Sequence, residues 1–303
     1  MNTIIDGATG TQNVIDVCIC TYRRDSLEET LQSISRQSLP LGWRARVIVA
    51  DNDATSHRRQ HLERYSNCLG IEMLYVHAPE KNISRARNAC LSHASAKWVA
   101  FIDDDETARH DWLAQLISRR GEAHCIFGVA RALYEPSAPS WMVKGDFHSH
   151  VIRTQEALSN GSTCNVMIDR EFIERHGLRF NEDLGRVGGE DTILFHEMAL
   201  RGATFCFAHL AIVEERVSPA RATIKWLALR RFRSGQIHFM ILKMANQRRL
   251  TIAVSASAKV IYCALGALLS LSTVNRVARA LRGSLHLGVL ASAIGASLYE
   301  EYS

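Results

Sequence analysis

KWVAFIDDDE, residues 97–106, is an apolar run that stops on three consecutive aspartates. Lys97–Ile102 has the length of a buried strand, so Asp103-Asp104-Asp105 falls at that strand's carboxyl end. The same arrangement occurs twice upstream. IDVCIC (15–20) runs into Thr21-Tyr22-Arg23, and RVIVA (46–50) into Asp51-Asn52-Asp53. A further strand is expected over 71–77 (IEMLYVH). Helical spacing fills the intervals at about 26–37, 57–68 and 83–94, with Ser26 as an N-cap and Glu28 and Glu29 in the first turn, where the helix dipole favours acids. Strands alternating with helices imply an α/β fold with a mostly parallel sheet flanked by helices. Ligands bind beyond the carboxyl ends of such strands, so the three polar clusters are expected to converge on one edge.

Beyond Gly128 the pattern is less regular. Pro136, Pro139 and the stretch Trp141–His150 read as a long loop. A strand is expected over 162–168, a helix over 190–200 announced by Gly188-Gly189, and a last strand over 206–213. No G-x-G-x-x-G turn follows the first strand and no P-loop is present, which removes the usual dinucleotide and nucleoside-triphosphate enzymes. The eight cysteines are scattered without a C-x-x-C pair, so reduced thiols are expected. Met1–Gln12 has neither a basic nor an apolar signal-peptide segment, so no signal peptide is expected.

Charge divides the chain. Residues 219–303 carry 12 Lys+Arg and 2 Asp+Glu, a net of +10, whereas the preceding 218 residues have a net of −5. The expected organisation is an N-terminal tail (1–13), a principal domain (14–218) and a basic helical region (219–303). Such a region seeks an anionic partner. Nucleic acid is set aside, because that reading leaves the acidic clusters unexplained and no recognised module is present. Residues 252–271 have the length of a transmembrane helix but contain Lys259 and several serines. Two readings stand: amphipathic helices lying at a membrane interface, with arginines on anionic headgroups, or helices packed on the core.

Three adjacent carboxylates repel, and one is driven toward protonation unless a cation compensates. A divalent metal would do so, as would exposure to water in an acidic turn capping the next helix. Glu190-Asp191 has a similar pair of readings, as a catalytic acid/base element or as helix N-terminal charge. His148 and His150 are two apart with no third ligand in view, which is a weak metal signal. Trp141 and its aromatic-rich neighbours have the means to stack on a sugar or to fill a loop core.

Taken in order, ICTYRR, VIVADND, ISRARNACL, FIDDDE followed by Asp111-Trp112-Leu113, and GGEDT resemble the inverting family-two glycosyltransferases of GT-A fold. The likeness is closest to the β-glucosyltransferases of succinoglycan-type exopolysaccharide assembly, with support from WMVKGDFH (141–148) and KWLALRRFRSGQ (225–236). The resemblance implies a nucleotide-sugar donor, UDP-glucose first, held by Thr21, Asp51, Asp53, Asp104 and one of Arg85 or Arg87. It also implies Mn²⁺ or Mg²⁺ on Asp103 and Asp105, and Asp191 as the catalytic base. Trp141, Asn165 and Glu190 would face a glycan or lipid-diphosphate-linked acceptor, and the enzyme would work in the cytoplasm, peripheral to the inner face of the membrane. A non-catalytic homologue that binds sugar nucleotides and scaffolds an assembly is the alternative; intact Asp103, Asp105 and Asp191 argue against it.

Overall fold

The structure, a computed structural model, describes residues 12–151 and 161–300. The expected tail over 1–13 lies outside the described residues except for Gln12 and Asn13. In the first half the sequence reads off directly: β1 (Asn13–Thr21), β2 (Trp43–Asp51), β3 (Met73–His77) and β4 (Trp98–Ile102) pair in parallel as β3-β2-β1-β4. Helices α1 (Leu27–Ser35), α2 (Arg59–Cys68) and α3 (Ile83–His93) connect them. Both faces of the sheet are covered, which is why β1 reads as an unbroken apolar run. Ile15, Val17 and Ile19 pack with α1 and α2, while Cys18 packs with Ala86 and Cys90 of α3. The expected Ser26 cap is not formed: Ser26 is already in the right-handed helical region and its side chain makes no cap bond. Asn82 does cap α3, accepting from the Arg85 amide at 3.1 Å.

The second half is mixed rather than parallel. β5 (Glu106–Ala108), β6 (Cys125–Tyr134), β7 (Asn165–Asp169) and β8 (Phe205–Val217) extend the sheet from β4 as β7-β6-β8-β5. Pairing is antiparallel at β4–β7, β7–β6 and β8–β5, and parallel at β6–β8. α4 (Trp112–Ser118), α6 (Arg170–Arg175) and α7 (Glu190–Leu200) complete the two helical layers. Within the expected long loop, Ser140–Gly145 forms a short helix, α5. Gly188 and Gly189 take φ of 85° and 88°, a conformation costly for any other residue, and so turn the chain sharply into α7.

Three long helices follow: α8 (Ile224–Met244), α9 (Arg249–Leu268) and α10 (Thr273–Ala293). α8 lies against the start of α7, where Ile237 occupies the space a Cβ on Gly189 would need. α10 crosses α8 so closely that a Cβ on Gly235 would meet the Leu285 carbonyl, and one on Gly288 the Phe232 carbonyl. Core packing, one of the two readings of the basic region, therefore describes α8 and α10.

The join between α8 and the body is sensitive to protons. His148 stacks on Trp226, with its Nε2 3.1 Å from the Arg221 carbonyl, and the Arg230 guanidinium donates to His150 Nε2. Burial, aided by Arg230, Arg231 and His148, pushes His150 down to about 3; burial also lowers His148. Both histidines serve the packing of α8 on the body. A group depressed in the folded state favours folding above its unfolded pKa, near 6.5, and that contribution is lost as pH falls below it. His150 by itself is therefore expected to cost the fold about 1.4 kcal/mol between pH 7.5 and 5.5. Urea denaturation of His150→Gln and of the unaltered chain at the two pH values checks this: relative to the variant, the unaltered chain should lose about 1.4 kcal/mol on going from pH 7.5 to 5.5.

Candidate active site

β1 has β2 on one side and β4 on the other, so the chain's direction of winding reverses between β1 and β4. The crevice beyond their carboxyl ends is bounded by Thr21, the last residue of β1, and Asp103, the first after β4. Ligands of open α/β sheets bind at such a crevice. Asp51 ends β2 and is fully buried, accepting from the Tyr75 hydroxyl at 2.6 Å and the Asp53 amide at 3.0 Å. Asp53 receives a two-pronged hydrogen bond from Arg23, both arms 2.9 Å, and this holds its carboxyl below the usual range. Arg23 itself sits at φ 54°, a backbone form unusual for a side-chain-bearing residue. Asn52 and Asn82 exchange hydrogen bonds of 2.8 and 2.9 Å, tying the end of β2 to the start of α3. Sequence reading passed over both asparagines.

The aspartate run is a dense acidic patch. Asp103 opens to the crevice with 44% of its side-chain surface exposed, yet its packed surroundings lift it to about 6, Arg87 opposing and Asp105 adding to the rise. Asp104 is buried and pushed to about 7 for the same first reason; the Thr21 hydroxyl works against the rise, although it makes no hydrogen bond of good geometry. Glu106 is buried and raised further, and its Oε2 accepts from the Asp103 amide at 3.0 Å. It stands in β5 opposite Glu215 of β8 rather than capping a helix. Two arginines lean on Asp105, Arg24 at 3.3 Å and Arg221 at 3.7 Å, and Arg221 also pairs with Glu215. A cavity of about 230 Å³ opens beside them, bordered by Arg24, Asp105, Thr107, Arg216 and Arg221.

The two arginines of α3 part company. Arg85 points to Glu80 and to Glu182 at 2.8 Å, where it is partly exposed. Arg87 is buried: one nitrogen contacts Glu190 Oε1 and another lies 3.8 Å from Asp103 Oδ1. Its burial works against its charge, and Glu190, Asp103 and Asp191 more than offset this. Arg87 is therefore the arginine that reaches the crevice. Glu190 is raised by burial and by Asp191, and its Oε2 has no hydrogen-bond partner among the described residues.

Asp191 lies in the first turn of α7, half-buried. Its oxygens accept from the Thr192 amide at 2.6 Å and the Thr163 amide at 3.4 Å, and its charge is felt at Asp103, Arg87 and Glu190. Thr163, absent from the expected set, thus carries the turn before β7 up to the carboxylate. Asn165 itself is turned into the sheet. Its amide nitrogen donates to the carbonyls of Val129 and Ala211, both 2.9 Å, and its oxygen accepts from Trp112 at 2.8 Å. That commitment braces the fold and leaves the side chain little to offer an acceptor, a correction to the expected role. Trp141 packs with Phe147 at 6.0 Å beside Met142, Leu227 and Leu281, so it belongs to the contact of α5 with α8 and α10.

The acidic patch has the chemistry to receive a divalent cation. Its donors are carboxylate oxygens, the ligands that Mg²⁺ and Mn²⁺ favour. Among the described residues no three His, Cys, Asp or Glu side chains gather as a self-sufficient metal site. A cation here would complete its shell with ligand oxygens and water, as Mg²⁺ commonly does on one or two protein carboxylates. Asp103 and Asp105 fit that use.

Comparison with known proteins places the chain in a family. The model of glycosyl transferase family 2 matches residues 16–177. The succinoglycan biosynthesis protein ExoM of Rhizobium meliloti (strain 1021) is 42% identical over 294 residues, covering 95% of each chain. Among solved structures, the mannosyltransferase PcManGT from Pyrobaculum calidifontis, in complex with GDP-Man and Mn²⁺, has a TM-score of 0.63 at 20% identity. That alignment covers 91% of this chain and 86% of the other. S. aureus TarS 1-349, in complex with UDP, has a TM-score of 0.52 at 17% identity, covering 94% and 93%.

Removing Arg87 would strand Glu190 as a buried, unpaired acid. Arg87→Ala is expected to lower unfolding stability by about 3–5 kcal/mol, and adding Glu190→Gln should restore part of the loss. Urea denaturation of the single and double variants measures this; full additivity would show that the two side chains do not depend on each other.

Proposed function

The chain belongs to glycosyl transferase family 2, and from that premise we propose that it is an inverting, metal-dependent hexosyltransferase of exopolysaccharide assembly. Its donor is a UDP-sugar, with UDP-glucose the first to test, and its acceptor a growing glycan on a lipid diphosphate at the inner face of the cytoplasmic membrane. The observation that carries the reading is the meeting of Asp103 and Asp191 across one crevice, joined by Arg87 and Glu190. The likeness to ExoM supports the polysaccharide context, and the UDP complex of a neighbour of the same fold supports the choice of nucleotide.

In this reading Asp51 and Asp53 face the nucleoside base and Thr21 the backbone turn beside it. Asp103 and Asp105 would hold Mn²⁺ or Mg²⁺, which when bound neutralises charge on the diphosphate. Arg24 and Arg221, now resting on Asp105, are placed to turn to the phosphate oxygens as those arrive. Asp191 removes the proton from the acceptor hydroxyl as that oxygen attacks the anomeric carbon. The bond to the nucleoside diphosphate breaks on the opposite face, so an α-linked donor gives a β-linked product. The Thr163 and Thr192 amides aim the base, and the Arg87–Glu190 pair holds the first turn of α7 in place.

Asp191→Asn should retain UDP binding while transfer falls by about 10²–10⁴-fold, the usual contribution of a general base. Asp105→Ala should lose divalent-cation-dependent donor binding. The measurements are calorimetric titration of UDP with and without Mn²⁺, and transfer of labelled sugar from UDP-sugars to a membrane lipid extract. Unchanged turnover by Asp191→Asn would remove the base assignment, and full activity in excess chelator would remove the metal.

A further inference from the structure

α9 is long and apolar enough to cross a membrane by length and composition, yet only 17% of its apolar stretch is buried. Its inner face packs on α10 and α8: Ile252 and Ala256 join Phe239, Val289 and Ala293, and Arg279 lies across Gly266. The outer face carries Leu250, Val254, Ile261, Leu265 and Leu268, all exposed, at intervals that place them on one side of the helix. Leu269 and Leu271 extend the same patch beyond the helix end. A contiguous apolar surface of this kind, rimmed by charge, marks an interaction site.

The rim identifies the partner. Arg248 and Arg249 stand at the amino end, while Arg276, Arg279 and Arg282 belong to α10 alongside. Residues 219–303 hold 12 basic against 2 acidic side chains. Lys259, which seemed to break the apolar run, is on a different side of α9. Its charge is felt at His238 of α8 and His286 of α10, both lowered chiefly by burial. A spanning helix is disfavoured by the packing, since α9 is bound along its length to α10, whose arginines would follow it into the bilayer at roughly 2.5–3.5 kcal/mol each.

We propose that the outer face of α9 seats in the interface of an anionic phospholipid bilayer, the helix lying in the membrane plane with the flanking arginines on the headgroups. This deepens the membrane side of the proposed function: it names the surface that would bring the enzyme to a lipid-linked acceptor.

The test is flotation of the full chain with vesicles of phosphatidylcholine alone or mixed with phosphatidylglycerol. The unaltered protein should float with the anionic vesicles at low salt and less with the neutral ones. Ile261→Glu/Leu265→Glu should reduce binding by about tenfold or more, because two apolar anchors are lost from the seated face. Arg248→Gln/Arg249→Gln should weaken the preference for anionic lipid. Circular dichroism and UDP titration report whether the variants remain folded. As a second probe, Ile261→Trp should shift its fluorescence to the blue and be quenched by brominated lipid. Absence of flotation with anionic vesicles, or undiminished binding by the double glutamate variant, would overturn the proposal. So would a dimer in sedimentation that the glutamates dissociate without any vesicle binding, which would assign the face to a second copy. Flotation without sugar transfer would leave docking intact and remove the acceptor reading; transfer without flotation would do the reverse.

Discussion

One buried guanidinium organises the crevice. Arg87 comes from α3, Asp103 from the end of β4 and Glu190 from the first turn of α7, so a single side chain ties three elements that share no continuous stretch of sequence. Moving an arginine out of water is costly, and the cost is met only where carboxylates replace the lost hydration. Here there are more carboxylates than Arg87 can satisfy. Asp103, Asp104 and Glu106 are all pushed upward, chiefly by burial and further by one another. The protein thus crowds more carboxyls at the edge of its sheet than its own cations neutralise, which suits a ligand that arrives with a cation.

Legibility in the sequence follows from how local each cause is. β1, β2 and β4 were readable because strands covered on both faces are apolar throughout and stop abruptly at polar residues. Gly188-Gly189 announced α7 because only glycine takes those backbone angles cheaply. β6 and β5 escaped. The outer residues of β6 are partly exposed, which breaks its apolar run after Ala130, and β5 is three residues long and exists only by pairing with β8. The choice between Arg85 and Arg87 was open in the sequence, but a signal was there. Arg87 falls three or four residues before Cys90 and Leu91, so it lies on the stripe of α3 that faces the sheet, while Arg85 does not. Glu106 and Thr163 left no comparable mark, because their roles depend on which strands become neighbours.

The basic carboxyl-terminal region shows a similar limit. Its composition admitted both a membrane interface and a packed helical region, and the fold divides these between helices. α8 and α10 have small residues where they cross, Gly235 and Gly288, and spend their faces on each other and on the body. α9 is left with one face packed and one apolar face outside. A hydropathy average cannot separate these cases, since it counts Lys259 equally whichever side of the helix bears it.

Asp16 and Asp104 differ in how the demand of a buried acid is met. Asp16 has no exposed surface, but Arg46 meets it with two hydrogen bonds of 2.8 Å and the amides of Ser95 and Ala96 add bonds of 2.7 and 2.9 Å. Its demand is filled inside the fold, at the end of β1 away from the crevice. At the other end, Glu190 Oε2 and the hydroxyls of Thr21 and Thr163 are buried with no well-formed hydrogen bond, beside carboxyls raised chiefly by burial and further by one another. Buried polar atoms without partners are rare in folded proteins because each costs about 1–3 kcal/mol. Three such atoms gather at this one crevice, and that gathering, rather than burial or charge alone, marks this edge of the sheet; the nucleoside diphosphate and cation of the proposed function have the donors and charge to fill it.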